Sequence, residues 1–157
     1  MHVQIASISA AEIILAIQKL AYESQAKIYN DYTISPLVET LEALENEFLS
    51  KTIYKAVQDN SIIGAVRAIL KDNTCYIGRL CVHPNYQGQG IGTRLLQHIE
   101  NEFSTATRFE LFAGSKSEDN IRLYKRLGYR IFKSEPYSEK ADIVYMQKLS
   151  ELEKMND

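Results

Sequence analysis

Three glycines stand close together in the middle of the chain, at positions 88, 90 and 92, between a strand-like segment and a helix-like one. Glycines at alternate positions let successive backbone N–H groups converge on an anion without interference from Cβ atoms. The N-terminus of the following helix adds unpaired donors and a partial positive charge. The turn from Gln87 to Gly92 therefore predicts a binding site for a phosphate or a pyrophosphate.

Two common nucleotide-binding motifs fit this turn badly. A dinucleotide fingerprint needs a third small residue at position 93, where this chain has Thr93, and it usually opens a fold. A P-loop needs a lysine followed by serine or threonine, and no lysine lies near the turn. The anion is therefore expected to belong to another kind of ligand.

A second motif, from Asn120 to Tyr129, contains a residue that could take part in catalysis. It reads as a short helix that carries Ile121, Tyr124 and Leu127 on one face and ends at a glycine. A phenol with a pKa near 10 can donate a proton to a leaving anion, although a tyrosine in an apolar stripe is by itself more often a core residue.

The segment from Arg79 to Thr93 resembles the acetyl-CoA site of the GNAT superfamily of N-acetyltransferases. That family's pattern is Gln or Arg, two residues of any type, Gly, any residue, and Gly or Ala, which Gln87, Gly90 and Gly92 match. An apolar-x-Val strand end and a His-Pro-x-Tyr corner precede it. The Leu-Gly-aromatic ending of the second motif also resembles the family, and the match covers roughly residues 52–149.

The resemblance implies acetyl-CoA as co-substrate, held by backbone amides at its pyrophosphate. It also implies that the backbone of Leu80 and Val82 pairs with the pantetheine arm and that Tyr124 acts as general acid to the leaving thiolate. Asn120 would bind the arm or cap its helix, although the usual family asparagine corresponds to Ser117 here. The implied coenzyme-binding set is Leu80, Cys81, Val82, Gln87, Gly88, Gln89, Gly90, Ile91, Gly92, Thr93 and Asn120.

The acceptor end of the reaction is less clearly specified. A primary amine must lose a proton before it attacks a thioester, and Glu110 is a candidate base because it stands between apolar strand residues. Glu110 is equally typical of an exposed strand face. Further candidates near the acceptor, each also ordinary on a protein surface, are Glu23, Tyr29, Arg67 and Tyr76. Arg67 is the most suggestive of these, since a strand arginine could bind an acceptor carboxylate.

The elements that must position these residues follow from periodicity. Two helices, from about residues 9 to 25 and from Ser35, come between a first strand and a three-strand meander. A helix, a strand, a short helix and two closing strands follow the glycine turn. The expected class is α+β or mixed α/β: a twisted sheet that is mostly antiparallel, with one parallel, splayed crossover and helices on both faces.

Composition sets the broad class. The 157 residues fit one domain, with a polar tail from about residue 150, and 45% hydrophobic and 24% charged residues are typical of a soluble protein. A net charge of −2 gives no reason to expect a nucleic-acid partner, and no apolar segment is long enough for a membrane. We expect a cytoplasmic monomer or homodimer. Three scattered histidines predict no metal site.

Three functions stay open at this stage. The leading one is acetyl transfer by direct attack of a small-molecule or peptide amine on acetyl-CoA. The first alternative is a non-catalytic acyl-CoA-binding sensor or partner-binding domain. The other is a nucleotide-binding protein of another type, which would need the lysine or the acidic ribose contact that this chain lacks. For acetyl transfer itself, an acyl-enzyme on Cys81 is an alternative mechanism, for which the sequence offers no suitably placed base.

Overall fold

The period-two segments pair into one seven-stranded sheet in the computed structural model, which describes residues 1–151. The strands are β1 (His2–Ile5), β2 (Thr52–Gln58), β3 (Ser61–Lys71), β4 (Thr74–Val82), β5 (Arg108–Gly114), β6 (Arg130–Ser138) and β7 (Ala141–Leu149). Their order in the sheet is β1-β2-β3-β4-β5-β7-β6, and only β4 and β5 are parallel neighbours. The predicted fold class is therefore confirmed.

Helices cover both faces of the sheet. They are α1 (Ala11–Tyr29), α2 (Ser35–Val38), α3 (Leu41–Ser50), α4 (Ile91–Glu102) and α5 (Glu118–Arg126). Leu95 and Leu96 of α4 and Tyr124 of α5 belong to the larger apolar core. Ile14 of α1 and Leu44 of α3 belong to a second core on the opposite face. This arrangement places the glycine-rich turn and the Tyr124 helix on the same side of the sheet.

A β-bulge interrupts the pairing of β4 with β3. Gly78 pairs with Arg67 and Cys81 with Ala65, so Arg79 and Leu80 together oppose a single residue of β3. The bulge reverses which side chains face which core. Cys75 lies in the larger core, whereas Cys81 lies in the second one.

The parallel pair β4–β5 is correspondingly short. Only three register pairs join the strands, from Thr74 with Arg108 to Tyr76 with Glu110. Beyond Tyr76, β5 continues to pair with β7 on its other side as far as Gly114. The two parallel strands therefore splay apart toward the glycine-rich turn, as expected.

Several local predictions were wrong. The expected second helix is divided into α2 and α3, and Thr40 caps α3 by accepting a hydrogen bond from the Ala43 amide at 3.1 Å. The sequence Ser9-Ala10-Ala11-Glu12 has the spacing of a helix capping box, with glutamate three residues after the serine. No such cap forms, because the Ser9 hydroxyl bonds that of Ser7 and a 3-10 turn precedes α1. The sequence Ser115-Lys116-Ser117-Glu118 has the same spacing, but α5 begins after Ser117 without a side-chain cap.

A buried ion-pair cluster joins α1, the α2–α3 link and β3. The Arg67 guanidinium, 3% exposed, donates to the Glu39 carboxylate at 2.6 and 2.9 Å and to Gln18 Oε1 at 2.9 Å. Burial by itself would raise the pKa of Glu39, but the hydrogen bonds from Arg67 and Gln18 outweigh it and lower that pKa. The cluster fixes the α2–α3 segment against the sheet.

No helix within residues 1–151 is long and apolar enough to cross a bilayer. Across the same residues, His, Cys, Asp and Glu side chains form no cluster that could hold a metal ion. The predicted polar tail lies, beyond Glu151, outside the described residues.

The Glu39–Arg67 pair gives a stability prediction. Glu39→Gln leaves the buried Arg67 charge without its principal partner, so the free energy of unfolding should fall by about 3 kcal/mol in urea denaturation at neutral pH. Because folding lowers the pKa of Glu39, its charge stabilises the protein above the pKa of the unfolded chain. That stabilisation is lost as the pH falls through the lowered pKa, so the difference between the two proteins should shrink in acid.

Glu139→Gln is the matched control, because Glu139 is exposed in the β6–β7 turn. Its free energy of unfolding should stay within about 0.5 kcal/mol of the wild type. Equal losses in the two variants would contradict a special role for Glu39.

Candidate active site

The glycine-rich turn leads directly into α4 and leaves its first amides without protein acceptors. Gly90 is the N-cap residue in the left-handed conformation (φ 80°), and it provides no side-chain acceptor. Within residues 1–151, the first amide of this turn to find a helical partner is that of Arg94, which donates to the Gly90 carbonyl at 3.1 Å. The amides of Ile91, Gly92 and Thr93 precede it and are the orphan donors of a helix N-terminus. They are free to bind an anion.

The three glycines were expected to keep Cβ atoms away from a bound anion, but the structure gives them two different roles. Gly88 and Gly90 have φ of 78° and 80°, and a Cβ added to either would meet no atom within 4 Å. They are needed for backbone conformation. Gly92 has ordinary φ, and its missing Cβ would touch Leu123 at 3.5 Å and Leu80 at 3.7 Å. A Cβ at position 92 would therefore stand in ordinary contact with both walls of the groove between α5 and β4.

A long groove runs from this turn along the splayed edge of β4. Its lining includes Leu80, Cys81, Val82, Gln87, Gly88, Gly90, Ile91, Gly92, Thr93 and Asn120. Gln89, the remaining member of the predicted coenzyme-binding set, lies between two lining glycines but does not line the groove itself. The structure therefore gathers ten of the eleven predicted residues around one groove.

Two cations on the wall of the groove were missed by the sequence reasoning. Arg122 and Arg126 of α5 both line it, and Arg122 forms an exposed ion pair with Asp119 at 3.1 Å. They stand one helical turn apart, which places both on the same face of α5. Their four-residue spacing, next to the predicted coenzyme contact Asn120, could have indicated this basic wall from the sequence.

Side chains already hold two carbonyls of the splayed β4 edge. The Gln87 amide donates to the Val82 carbonyl at 3.0 Å, and the Tyr22 hydroxyl donates to the Leu80 carbonyl at 3.0 Å. The first residue of the glycine motif thereby ties the turn to the strand end. Tyr22 ties the same strand to α1.

A second cavity, of about 460 Å³, opens through the splay between β4 and β5. The two cavities share four lining residues: Tyr22, Gln25, Leu80 and Asn120. Tyr124 lines the second cavity next to this junction. The two cavities adjoin at these residues and together form one passage at the splay, with an anion-binding end at the glycine-rich turn and a second end lined by Tyr124.

Tyr124 combines burial with a free hydroxyl. Its side chain is 6% exposed, and within the described chain its hydroxyl has no hydrogen-bond partner although it is not sealed from the cavity. Burial raises the pKa of Tyr124 to about 12, so the phenol keeps its proton at neutral pH. Burial and then the neighbouring Tyr124 also raise the pKa of Tyr22 far above its usual value.

A chain of hydrogen bonds orients Gln25 at the junction. The Lys116 amide donates to the Tyr29 hydroxyl at 3.1 Å, and that hydroxyl lies 2.7 Å from Ser117 Oγ. Ser117 then donates to Gln25 Oε1 at 2.5 Å. Because the single hydroxyl proton of Ser117 goes to Gln25, the Tyr29 hydroxyl is the donor to Ser117. The NH₂ group of Gln25, a residue that lines both cavities, makes no hydrogen bond within the described residues. Gly114 makes room for the chain, because a Cβ there would collide with the Tyr29 ring.

The residues predicted near the acceptor divide into two groups. Tyr29 and Arg67 line the second cavity, but the Arg67 guanidinium is already bound by Glu39, Glu47 and Gln18. Glu23, Tyr76 and Glu110 line neither cavity. The Glu110 carboxylate instead accepts a hydrogen bond from Arg108 at 2.8 Å, so its assignment as base stays a prediction that the cavity geometry does not favour.

Cys81 is 4% exposed, and burial raises the pKa of its thiol to about 12. Burial also raises the pKa of the Cys75 thiol to about 12, and both cysteines are free. Because the thiolate is the reactive form of cysteine, neither residue is suited to be a nucleophile at neutral pH. This disfavours an acyl-enzyme on Cys81.

We expect neither cysteine of the native protein to react with iodoacetamide at pH 8, where a thiol of pKa about 12 is ionised in roughly one molecule in ten thousand. Intact-mass measurement should show an unmodified chain. The same protein unfolded in urea should gain two adducts, which controls for reagent activity. Fast modification of native Cys81 would restore the acyl-enzyme mechanism as an alternative.

Comparison with known proteins agrees with the resemblance of the sequence motifs to the GNAT superfamily. A family model described as an acetyltransferase (GNAT) domain matches residues 20–150, which is most of the chain. No curated protein matches the sequence significantly.

Solved structures match over nearly the whole chain at low identity. PaiA N-acetyltransferase from Thermoplasma acidophilum, in complex with coenzyme A, aligns with a TM-score of 0.78 and 18% identity, covering 95% of this chain and 99% of that one. The ribosomal-protein-S18-alanine N-acetyltransferase from Escherichia coli aligns at 0.79 and 15%, covering 95% and 93%. The yncA protein from Salmonella typhimurium, solved with acetyl-CoA, aligns at 0.73 and 21%, covering 96% and 94%. These likenesses concern the fold.

Proposed function

The chain belongs to the GNAT superfamily of acetyl-CoA-dependent acyltransferases, and we propose that it transfers the acetyl group to a primary amine of a small molecule or peptide. The observation that carries this proposal is the junction of two cavities at the β4–β5 splay, next to the free Tyr124 hydroxyl. One cavity offers anion-binding amides, and the other is large enough for a second substrate.

The groove residues fit acetyl-CoA in their chemistry. The free amides of Ile91, Gly92 and Thr93 would bind the pyrophosphate, and Arg122 and Arg126 would add positive charge along the same wall. The backbone of Leu80 and Val82 would pair with the pantetheine arm in the manner of an added strand. The NH₂ group of Gln25, which the Ser117 chain orients, is a further donor for this arm.

The proposed reaction is a direct transfer in which both substrates are bound together. The neutral amine nitrogen bonds to the acetyl carbon, the carbon–sulfur bond breaks, and the electron pair leaves on sulfur. The thiolate then takes a proton, and the new amide loses one. No protein nucleophile takes part, in agreement with the protonated state of the Cys81 thiol.

Tyr124 is proposed as the proton donor to the leaving sulfur. With a pKa of about 12 the phenol is fully protonated over the working pH range. Desolvation disfavours the anions of phenols and thiols alike, so a thiolate formed in the same cavity would also have a raised pKa. Tyr124 would therefore begin as a hydrogen-bond donor and release its proton as charge develops on sulfur.

A module that only bound acyl-CoA as a sensor would need the coenzyme groove, but it would not need the second cavity for an acceptor. The second cavity and the free hydroxyl of a buried tyrosine at its junction favour catalysis over binding alone. Its volume of about 460 Å³ lies within the usual range for small-ligand sites.

The experiment that tests this function compares wild type with Tyr124→Phe. Removing the hydroxyl should lower kcat for release of free thiol from acetyl-CoA about a hundredfold with any accepted amine, since proton donation in the transition state is lost. The Kd for acetyl-CoA, measured by calorimetry, should change by less than about threefold, because Tyr124 lines the acceptor side of the junction.

Tyr54→Phe is the matched control. Tyr54 is 4% exposed in the same core but lines neither cavity, and its loss should leave both constants nearly unchanged. Undiminished kcat in Tyr124→Phe would return Tyr124 to a purely structural role. Thiol release that needs no amine would contradict the proposed transfer.

A further inference from the structure

Arg79 occupies a backbone conformation that its side chain does not favour. Six non-glycine residues of the described chain have positive φ, and five of them are asparagine or aspartate, which tolerate this region. Arg79 (φ 53°) is the sixth, at the bulge of β4. An asparagine or glycine would satisfy the backbone better. The arginine side chain is therefore the part of this residue that needs an explanation.

Positive charges outnumber negative charges in the part of the second cavity around Arg79. Three cations, Lys51, Arg67 and Arg79, face two carboxylates, those of Glu39 and Glu47. Lys51 and Arg67 have carboxylate oxygens within 3.0 and 2.6 Å, respectively. The nearest carboxylate oxygen to Arg79 is 3.8 Å away, so the excess positive charge belongs to Arg79.

The hydrogen bonds of Arg79 are also incomplete. Its Nη2 donates to Ser35 Oγ at 2.6 Å, but its buried Nε has no partner within the described residues. A planar guanidinium is the protein group best suited to bind a carboxylate through two parallel hydrogen bonds. Because Nε is buried, the donors that such a carboxylate can reach are those on Nη1, which has no partner within the described residues, and the second N–H of Nη2. Asp31, Lys140 and Asp142 also line the cavity, with one positive and two negative charges. The excess of positive charge is therefore confined to the part of the lining around Arg79.

Arg79 is also adjacent to the proposed reaction centre. It lines the second cavity and not the coenzyme groove, whereas Leu80, the next residue, lines both. An anion held by Arg79 would therefore belong to the acceptor and would lie near the junction. The remaining wall is largely apolar, from residues such as Ile34, Ile77, Leu111, Phe112 and Ile143.

We propose that Arg79 binds a carboxylate of the acceptor and that the preferred substrate is an apolar primary amine with a carboxylate a few bonds from its nitrogen. This inference rests on the proposed acetyl transfer and narrows its substrate class. It transfers to Arg79 the part first suggested for Arg67, whose guanidinium Glu39 and Gln18 already occupy. Two sources supply this chemistry: a free amino acid, and the N-terminal aspartate of a peptide.

The test measures kcat/KM for phenylalanine and for phenethylamine, which lacks the carboxylate. The wild type should prefer phenylalanine by at least about tenfold, because a site built for a carboxylate discriminates against the analogue that lacks it. Arg79→Asn, which suits the left-handed backbone, should bring this ratio near one, mainly through a higher KM for phenylalanine. Arg79→Lys should restore part of the ratio.

The Kd for acetyl-CoA should be the same in all three proteins, which shows that the coenzyme groove is intact. Arg130→Gln, which removes a cation from exposed β6 outside both cavities, is the control and should keep the wild-type ratio. A peptide arm compares N-terminal Asp with N-terminal Asn. Preference for Asp without turnover of phenylalanine would assign the carboxylate to a peptide side chain.

Two negative results have different meanings. Turnover in which carboxylate-bearing amines have no advantage, or an advantage that Arg79→Asn retains, would overturn the assignment of Arg79 and leave acetyl transfer standing. Binding of acetyl-CoA without acetylation of any amine would instead contradict the proposed function and the present inference with it.

Discussion

The bulge at Arg79 and Leu80 is the feature on which the site depends. Two residues of β4 there oppose one residue of β3, and β4 pairs with β5 only as far as Tyr76, shortly before the bulge. The extra residue shifts the alternation of side chains along β4, so that Leu80 and Val82 pack against the larger core. It opens a passage through a sheet that would otherwise be closed by hydrogen bonds. It also places a strained arginine beside that passage.

The surrounding structure holds this opening in one shape. On one side, Tyr22 bonds the Leu80 carbonyl and the Ser117–Tyr29 chain links α1 to the start of α5. On the other, Gln87 bonds the Val82 carbonyl and fixes the glycine-rich turn to the strand end. The passage therefore has an anion-binding end at α4, a buried phenol near its middle and a second end that Ser35 and Pro36 of α2 help to line.

The coenzyme end could be predicted from the sequence because its signals are local. Glycines at fixed spacing before an amphipathic helix specify a turn whose chemistry is mainly that of the backbone. The cluster around Arg67 could not be predicted in this way, because its partners Gln18 and Glu39 lie 49 and 28 residues away in the chain. The bulge could not be predicted for a related reason. Cys75 and Cys81 are six residues apart, so an unbroken strand would place both on one face, and nothing in the sequence marks the extra residue. The same holds for Ser117, because its hydrogen-bond partners Tyr29 and Gln25 belong to α1 and lie 88 and 92 residues away in the chain.

Hydrogen–deuterium exchange with and without acetyl-CoA tests the central claim most directly, because it reports where the coenzyme lies whatever the acceptor is. We predict slower exchange on binding in peptides that cover Leu80–Val82 and Gly88–Thr93, with no change in the distant β1–β2 edge. Binding of acetyl-CoA that leaves both segments unprotected, or that protects only the β1–β2 edge, would contradict the account.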